Sequence, residues 1–220
     1  MLHDPSNPLL DLNNKNLHKF NIIKPQYDRL KLSPGIVHIG VGNFHRAHLS
    51  WYLHRLMQEN KDLDWGIIGA GVLNYDREMR QKLKKQNFLT TLIELDPNGN
   101  KNCEIVGSMI DYAPVEKNNL SLIKAISDSR IRIVSLTVTE GGYFLDGENG
   151  LDFTNSEIVN DINNPNSPIT VFGAIVYALN IRKNNGYRPI TCLSCDNLIK
   201  NGDKLKQAVI GIAKNINKQL

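Results

Sequence analysis

Cysteine is scarce, long apolar runs are missing, and charge of neither sign is massed in one place; each absence removes a class of protein. Three cysteines among 220 residues cannot close a disulfide framework, which fits a reducing compartment. No run approaches the roughly 18 apolar residues of a membrane-spanning helix. The first residues, Met1 to Pro8, carry neither the basic nor the apolar region of a signal peptide, so the expectation is a cytoplasmic protein with no membrane association. The formal charge is only +4. Lys82, Lys84, Lys85 and the C-terminal lysines are spread through helical patterns, so a solvated face accounts for them better than nucleic-acid binding. There is no low-complexity tract and no internal repeat. With 41% hydrophobic and 22% charged residues, the chain can bury a substantial core as one large domain or one domain plus an appendage.

Metal and redox chemistry are poorly supported. Cys192 and Cys195 form a C-x-x-C, but they fall in Pro189 to Asn197, which reads as a strand, where residues three apart face opposite ways. Redox pairing or shared metal ligation is therefore not expected. His45 and His48 could share a helix face as ligands, yet no acidic or cysteine partner lies near in sequence. Both are expected on the helix surface, and no metal is expected.

What the chain does have is an alternation of strands and helices. Residues 1–34 hold scattered prolines and polar residues, with a weak helical patch around Leu17 to Ile23, and read as an N-terminal extension packing on the edge of a domain over 35–220. Strands are predicted at Ile36 to Val41 and Trp65 to Val72, with a helix over Ala47 to Met57 between them and a charged helix opening at Tyr75 and Asp76. Phe88 to Leu95 and Cys103 to Met109 are β-rich and separated by turn residues at Asp96 to Asn100, so a hairpin joins them and the sheet is expected to be mixed. A helix at Leu120 to Ile126 follows, then a strand from Ile131 to Thr139 that stops at Glu140-Gly-Gly-Tyr143. An amphipathic helix is predicted over Val171 to Arg182, closed by Gly186. A strand from Ile190 ends at Asp196-Asn197 before a last helix over Lys204 to Ile216. The fold class is α/β, Rossmann-like and doubly wound, with polar clusters at the carboxyl ends of the strands.

The sharpest local signal is Gly35-Ile-Val-His-Ile-Gly40-Val-Gly42-Asn-Phe44-His45-Arg46-Ala-His48, where a short apolar run enters a glycine turn and leaves it as a helix. Gly40 can adopt a backbone conformation closed to other residues, and Gly42 lets a pyrophosphate approach the N–H groups of a helix start. The third glycine of G-x-G-x-x-G is replaced by His45, so the turn alone also fits a glycine-tolerant connection with no ligand.

Taken together, four separated segments carry a resemblance. Gly40-Val-Gly42-Asn-Phe44-His45-Arg46-Ala-His48, Asp76-Arg77-Glu-Met-Arg80, Ile131 to Glu140-Gly-Gly-Tyr143, and Ser194-Cys-Asp-Asn197 with Asn201-Gly202 resemble, in the same order, the mannitol 2-dehydrogenase family of long-chain polyol dehydrogenases. The resemblance runs from about Gly35 to the end of the chain. It implies a cofactor-binding Rossmann domain, NAD as coenzyme, and metal-independent hydride transfer between a polyol and a ketose, D-mannitol and D-fructose first. Fructuronate or tagaturonate reduction and arabinitol oxidation share these motifs. A non-catalytic dinucleotide-binding module or a truncated remnant is the alternative of another class.

Carried over residue by residue, the resemblance puts Gly40, Gly42 and the main chain at Phe44 against the pyrophosphate, and Asp76 at the adenosine ribose, where Tyr75 stands in place of the second acid of many relatives. A helix-capping role for Asp76 is compatible with that. Glu140 corresponds to a glutamate linked to proton exchange with solvent, and Asn197 to an asparagine whose amide holds the reacting oxygen; turn stabilisation is the alternative for each. The family's Lys-x4-Asn-x2-His segment, on a helix of a C-terminal, mostly helical domain, has no counterpart here. The expectation is a piece of a longer protein or a truncated gene product that binds cofactor and, without that catalytic domain as partner, turns over negligibly.

Overall fold

The two faces of one strand decide the architecture. In the computed structural model, which describes residues 11–146 and 150–216, β1 (Pro34–Ile39) is buried along its whole length. Val37 and Ile39 enter one core with Val134 and Leu136 of β6 (Ile133–Leu136) and with residues of α3 (Leu120–Ser127), α5 (Val171–Asn184) and α6 (Asn201–Ile216). Ile36 enters a second core with Ile67 of β2 (Gly66–Ala70), Leu83 of α2 (Asn74–Lys85) and Met109 and Tyr112 of β5 (Met109–Tyr112). Successive side chains of a strand point to opposite faces, so a strand apolar on both needs a helical layer over each.

The main sheet runs in the order β5-β2-β1-β6-β7, with β7 at Thr191–Ser194, and all its pairings are parallel. This is the doubly wound, Rossmann-like architecture. The chain builds outward from β1 to β2 and β5 on one side, then returns to lay β6 and β7 on the other. The reversal lies between β1 and β6, and the crevice beyond the strand ends at such a point is where open α/β sheets bind ligands.

Three elements differ from expectation. The hairpin of β3 (Thr90–Leu95) and β4 (Lys101–Val106) is antiparallel but forms a sheet of its own, so it does not make the main sheet mixed. The apolar run from Cys103 to Met109 splits, because β4 ends at Val106 and Met109 opens β5 in the main sheet. The α5 helix is buried on almost every side rather than amphipathic, since it packs against both α3 and α6. The side chain of Thr170 accepts from the Gly173 N–H at its start, and Gly186, at φ +68°, closes it.

Residues 11–33 lie against α1 (Ser50–Met57) and the hairpin: the Tyr27 hydroxyl is 2.7 Å from Nδ1 of His54, Ile23 bridges to Glu104, and Arg29 donates to the carbonyls of Asn87, Gly107 and Met109. Residues 1–10 of the extension and 217–220 of the domain lie outside the described residues. Among those described, no helix is long and apolar enough to cross a membrane.

Candidate functional site

The glycine turn is held from several directions. Gly40 has φ +96°, and a Cβ there would lie 2.1 Å from the Thr137 carbonyl oxygen, so no other residue fits without displacing β6. Its N–H donates to the Ala70 carbonyl at the end of β2, and its carbonyl accepts from the Gly42 N–H, both at 2.9 Å. The Thr137 hydroxyl donates to the same carbonyl at 2.7 Å, and Nε2 of His38 lies 3.2 Å from it. Gly42 is the opposite case: a Cβ there would meet nothing within 4 Å. The helix beginning at Asn43 leaves its first N–H groups without intrahelical partners, and its dipole favours an anion beside them. An open cradle with free donors fits a pyrophosphate.

Phe44 supplies main chain to this start, while its ring, 45% exposed, stacks on His48 at 4.7 Å. His45 departs from its expected surface position. The turn over His45–Leu49 is π-helical, with the Ser50 N–H reaching back to the His45 carbonyl, and His45 is fully buried. Its ring stacks on that of His38 at 4.2 Å. Oγ of Ser50 lies 3.3 Å from Nε2, and Nδ1 makes no hydrogen bond among the described residues. Burial, with His38 and Arg46 adding to it, holds His45 well below the ordinary imidazole range. Burial lowers His38 to about 4, against the pull of its bond to Gly40. Two neutral imidazoles therefore sit under the turn. His48 is exposed, and among the described residues no group of three or more His, Cys, Asp or Glu is placed to hold a metal ion.

At the end of β2, next to this turn, Asp76 is folded inward. It occupies the third position of α2, is only 4% exposed, and its Oδ2 accepts from the N–H groups of Val72 and Leu73 at 3.0 and 2.9 Å. Gly71 is needed because a Cβ there would lie 2.3 Å from the Asp76 carboxyl carbon. Tyr75 is exposed; burial of its hydroxyl and the adjoining Asp76 carboxylate raise its phenol.

The segments carrying Glu140 and Asn197 are joined by Asp196. Its carboxylate accepts from the N–H groups of Val138 and Thr139 at 3.2 and 2.9 Å and from the Tyr143 hydroxyl at 2.9 Å. Tyr143 is also 2.6 Å from the Ser194 hydroxyl. Glu140 opens a short helical turn through Tyr143 and is exposed. It lines an open cleft of about 1220 Å³ with Phe153, Leu198, Lys200 and Lys204. Asn197 is exposed and is not among the residues lining that cleft, although the next residue, Leu198, is; its side chain bonds to no described residue. An exposed amide can donate to a ligand's oxygen and an exposed carboxylate can take up its proton.

Asp196, His38 and Thr137 were not singled out from the sequence. Asp196 has a visible signal, an acid between a strand and the Asn197 motif. His38 has a weaker one, a polar residue in an otherwise apolar strand.

The chain is similar to known proteins over most of its length. Residues 34–220 match the family model described as the mannitol dehydrogenase Rossmann domain. The chain is 51% identical over 194 residues to mannitol 2-dehydrogenase of Cereibacter sphaeroides, covering 88% of this chain and 40% of that protein. It is 39% identical over 197 residues to polyol:NADP oxidoreductase of Gluconobacter oxydans, with the same coverage of 88% and 40%. Among solved structures, the Pseudomonas fluorescens mannitol 2-dehydrogenase ternary complex with NAD and D-mannitol is similar with a TM-score of 0.90 at 38% identity, over 96% of this chain and 43% of that one. This chain thus spans about two fifths of the length of the curated relatives it matches.

Proposed function

Because the chain belongs to the mannitol dehydrogenase family through its Rossmann domain, we propose that it is the coenzyme-binding half of a cytoplasmic, NAD-dependent polyol dehydrogenase interconverting D-mannitol and D-fructose. The observation that carries this reading is the Gly40–Gly42 turn, locked on its sheet side and open at Gly42, at the point where the strand order reverses. The chemistry NAD supplies when bound is acceptance of a hydride from a secondary alcohol carbon. The helix start at Asn43 and Phe44 holds the pyrophosphate, and Asp76 sets the ribose end for NAD over NADP. Asn197 donates its amide to the oxygen that gains charge as hydride leaves. Glu140, open to solvent, passes the released proton outward.

The base that first takes the alcohol proton is not among these residues. The family resemblance puts the lysine, a second asparagine and a histidine in a C-terminal domain that the relatives have beyond the matched region. The 220-residue chain is therefore expected to bind coenzyme and not to turn over. Titration with NADH and NADPH, following Trp51 and Trp65 emission, tests the first part. Saturable NADH binding supports the reading, and no binding by a chain folded by circular dichroism overturns it. Mannitol-dependent NADH production by the purified chain would overturn the second part.

A further inference from the structure

An imidazole is buried in an otherwise apolar strand, just before the glycine turn. His38 of β1 is fully buried, and a polar group cut off from water is costly unless its hydrogen bonds are made. Both of its ring nitrogens are engaged. Nδ1 lies 2.8 Å from Oγ of Ser135, its register partner on β6, and Nε2 lies 3.2 Å from the Gly40 carbonyl and from Oγ1 of Thr137. A carbonyl only accepts, so Nε2 carries the proton and Nδ1 accepts from the Ser135 hydroxyl. One face of the ring is covered by that of His45, 4.2 Å away and 19° from parallel. The Thr137 hydroxyl can rotate away from the Gly40 carbonyl, but an imidazole held at both nitrogens and over one face cannot.

The next peptide inherits this direction. In a planar trans peptide the C=O and the following N–H point opposite ways, so a Gly40 carbonyl held toward His38 and β6 turns the Val41 N–H away from them. Val41 is only 4% exposed, yet its N–H donates to no described residue. A buried backbone donor without an acceptor is rare in a native protein. We propose that His38 is a positioning residue for coenzyme binding: by holding the Gly40 carbonyl it orients the Val41 N–H to donate to a phosphate oxygen of the dinucleotide. This rests on the dinucleotide reading above. The ligand supplies the acceptor that the protein withholds from Val41. Through Ser135, β6 takes part in aiming that donor from across the point where the strand order reverses.

The experiment titrates the unmodified chain, His38→Gln, His38→Asn and His38→Leu with NADH by tryptophan emission, follows the Val41 amide proton by NMR, and measures the stability of each by urea unfolding. Glutamine can place an N–H where Nε2 stands, asparagine reaches only the Nδ1 position, and leucine offers neither. In the unmodified chain the Val41 amide proton should move downfield as NADH binds. NADH affinity should stay within about threefold in His38→Gln and fall at least about tenfold in His38→Asn and His38→Leu, in whatever order their stabilities fall. Affinity that instead follows stability across the variants, with asparagine and glutamine alike, would make His38 a buried spacer and overturn the proposal. A Val41 amide that does not move at saturating NADH overturns it as well; that arm needs only the unmodified chain, so a variant that does not fold leaves the test standing. Failure of the unmodified chain to bind NADH would instead overturn the dinucleotide reading, and this proposal with it.

Discussion

Gly40 and Gly42 are constrained for opposite reasons, and substitution separates them. Alanine at Gly40 must adopt φ +96° and meet the Thr137 carbonyl at 2.1 Å, so Gly40→Ala should lower unfolding free energy by at least about 1 kcal/mol through strain alone. Alanine at Gly42 meets no protein atom within 4 Å, so Gly42→Ala should leave stability unchanged within about 0.5 kcal/mol. It should nevertheless weaken NADH binding at least about tenfold, because the methyl group fills the space the pyrophosphate needs. Urea unfolding with NADH titration on both variants checks this. Equal loss of stability in the two, or full NADH affinity in Gly42→Ala, would contradict it. The glycines were legible in the sequence because their chemistry is local. The clash that makes Gly40 irreplaceable was not, since it depends on Thr137, nearly a hundred residues away in the chain.

Among the elements, the loop from Val138 to Tyr143 shows how a side chain on one strand end shapes another. Asp196 holds the Val138 and Thr139 N–H groups and the Tyr143 hydroxyl, while Thr139 itself sits at φ +67°. Removing the acceptor leaves the half-buried Val138 N–H unpaired, at about 1–3 kcal/mol, and takes from Tyr143 one of its two hydroxyl partners, while the exposed Thr139 N–H can turn to water. Asp196→Ala should therefore lose stability in that range and speed hydrogen exchange at Val138 and Thr139, while exchange in β1 slows or quickens only with global stability. Unchanged exchange at those two amides would show that the loop holds without Asp196. Strand β1 and helix α6 were readable from periodicity, because each has a distinct apolar pattern. The β4 and β5 strands were merged, because the Cys103 to Met109 run does not reveal that the chain changes sheets at Gly107 and Ser108. Helix α4 (Ser156–Asn163) escaped notice. Its Asn155 cap is an ordinary signal, but only Ile158 among its apolar residues is buried, which leaves little periodicity to read. The direction of Asp76 and the burial of His45 depend on backbone geometry that sequence spacing does not encode.

Across the whole molecule, acid should be felt through three buried histidines. His38 and His45 are lowered chiefly by burial, His38 to about 4. His54 is lowered by burial, with the adjacent Glu104 opposing it. A group whose folded value lies below its unfolded value of 6.5 is neutral in both states at higher pH. Below 6.5 the unfolded chain takes up protons that the native state refuses, so stability is intact above that pH and lost as pH falls toward about 4. Each such group adds up to about 1.4 kcal/mol per pH unit. Urea unfolding at pH 7 and 5 should show the fall, and His45→Leu, which replaces an imidazole carrying an unpaired nitrogen, should make it shallower. The same slope in both proteins would mean that His45 is not refusing a proton.

The carbonyl of Gly40 is gripped by the Gly42 N–H and the Thr137 hydroxyl and approached by His38, while its N–H is tied to Ala70. The strand that delivers it is shared by both cores. The turn is thus already in its working shape before any ligand arrives. Binding there spends little of its free energy on ordering backbone, so affinity reports on the contacts made rather than on the folding of a loop, and a weak coenzyme analogue will be weak because it lacks contacts.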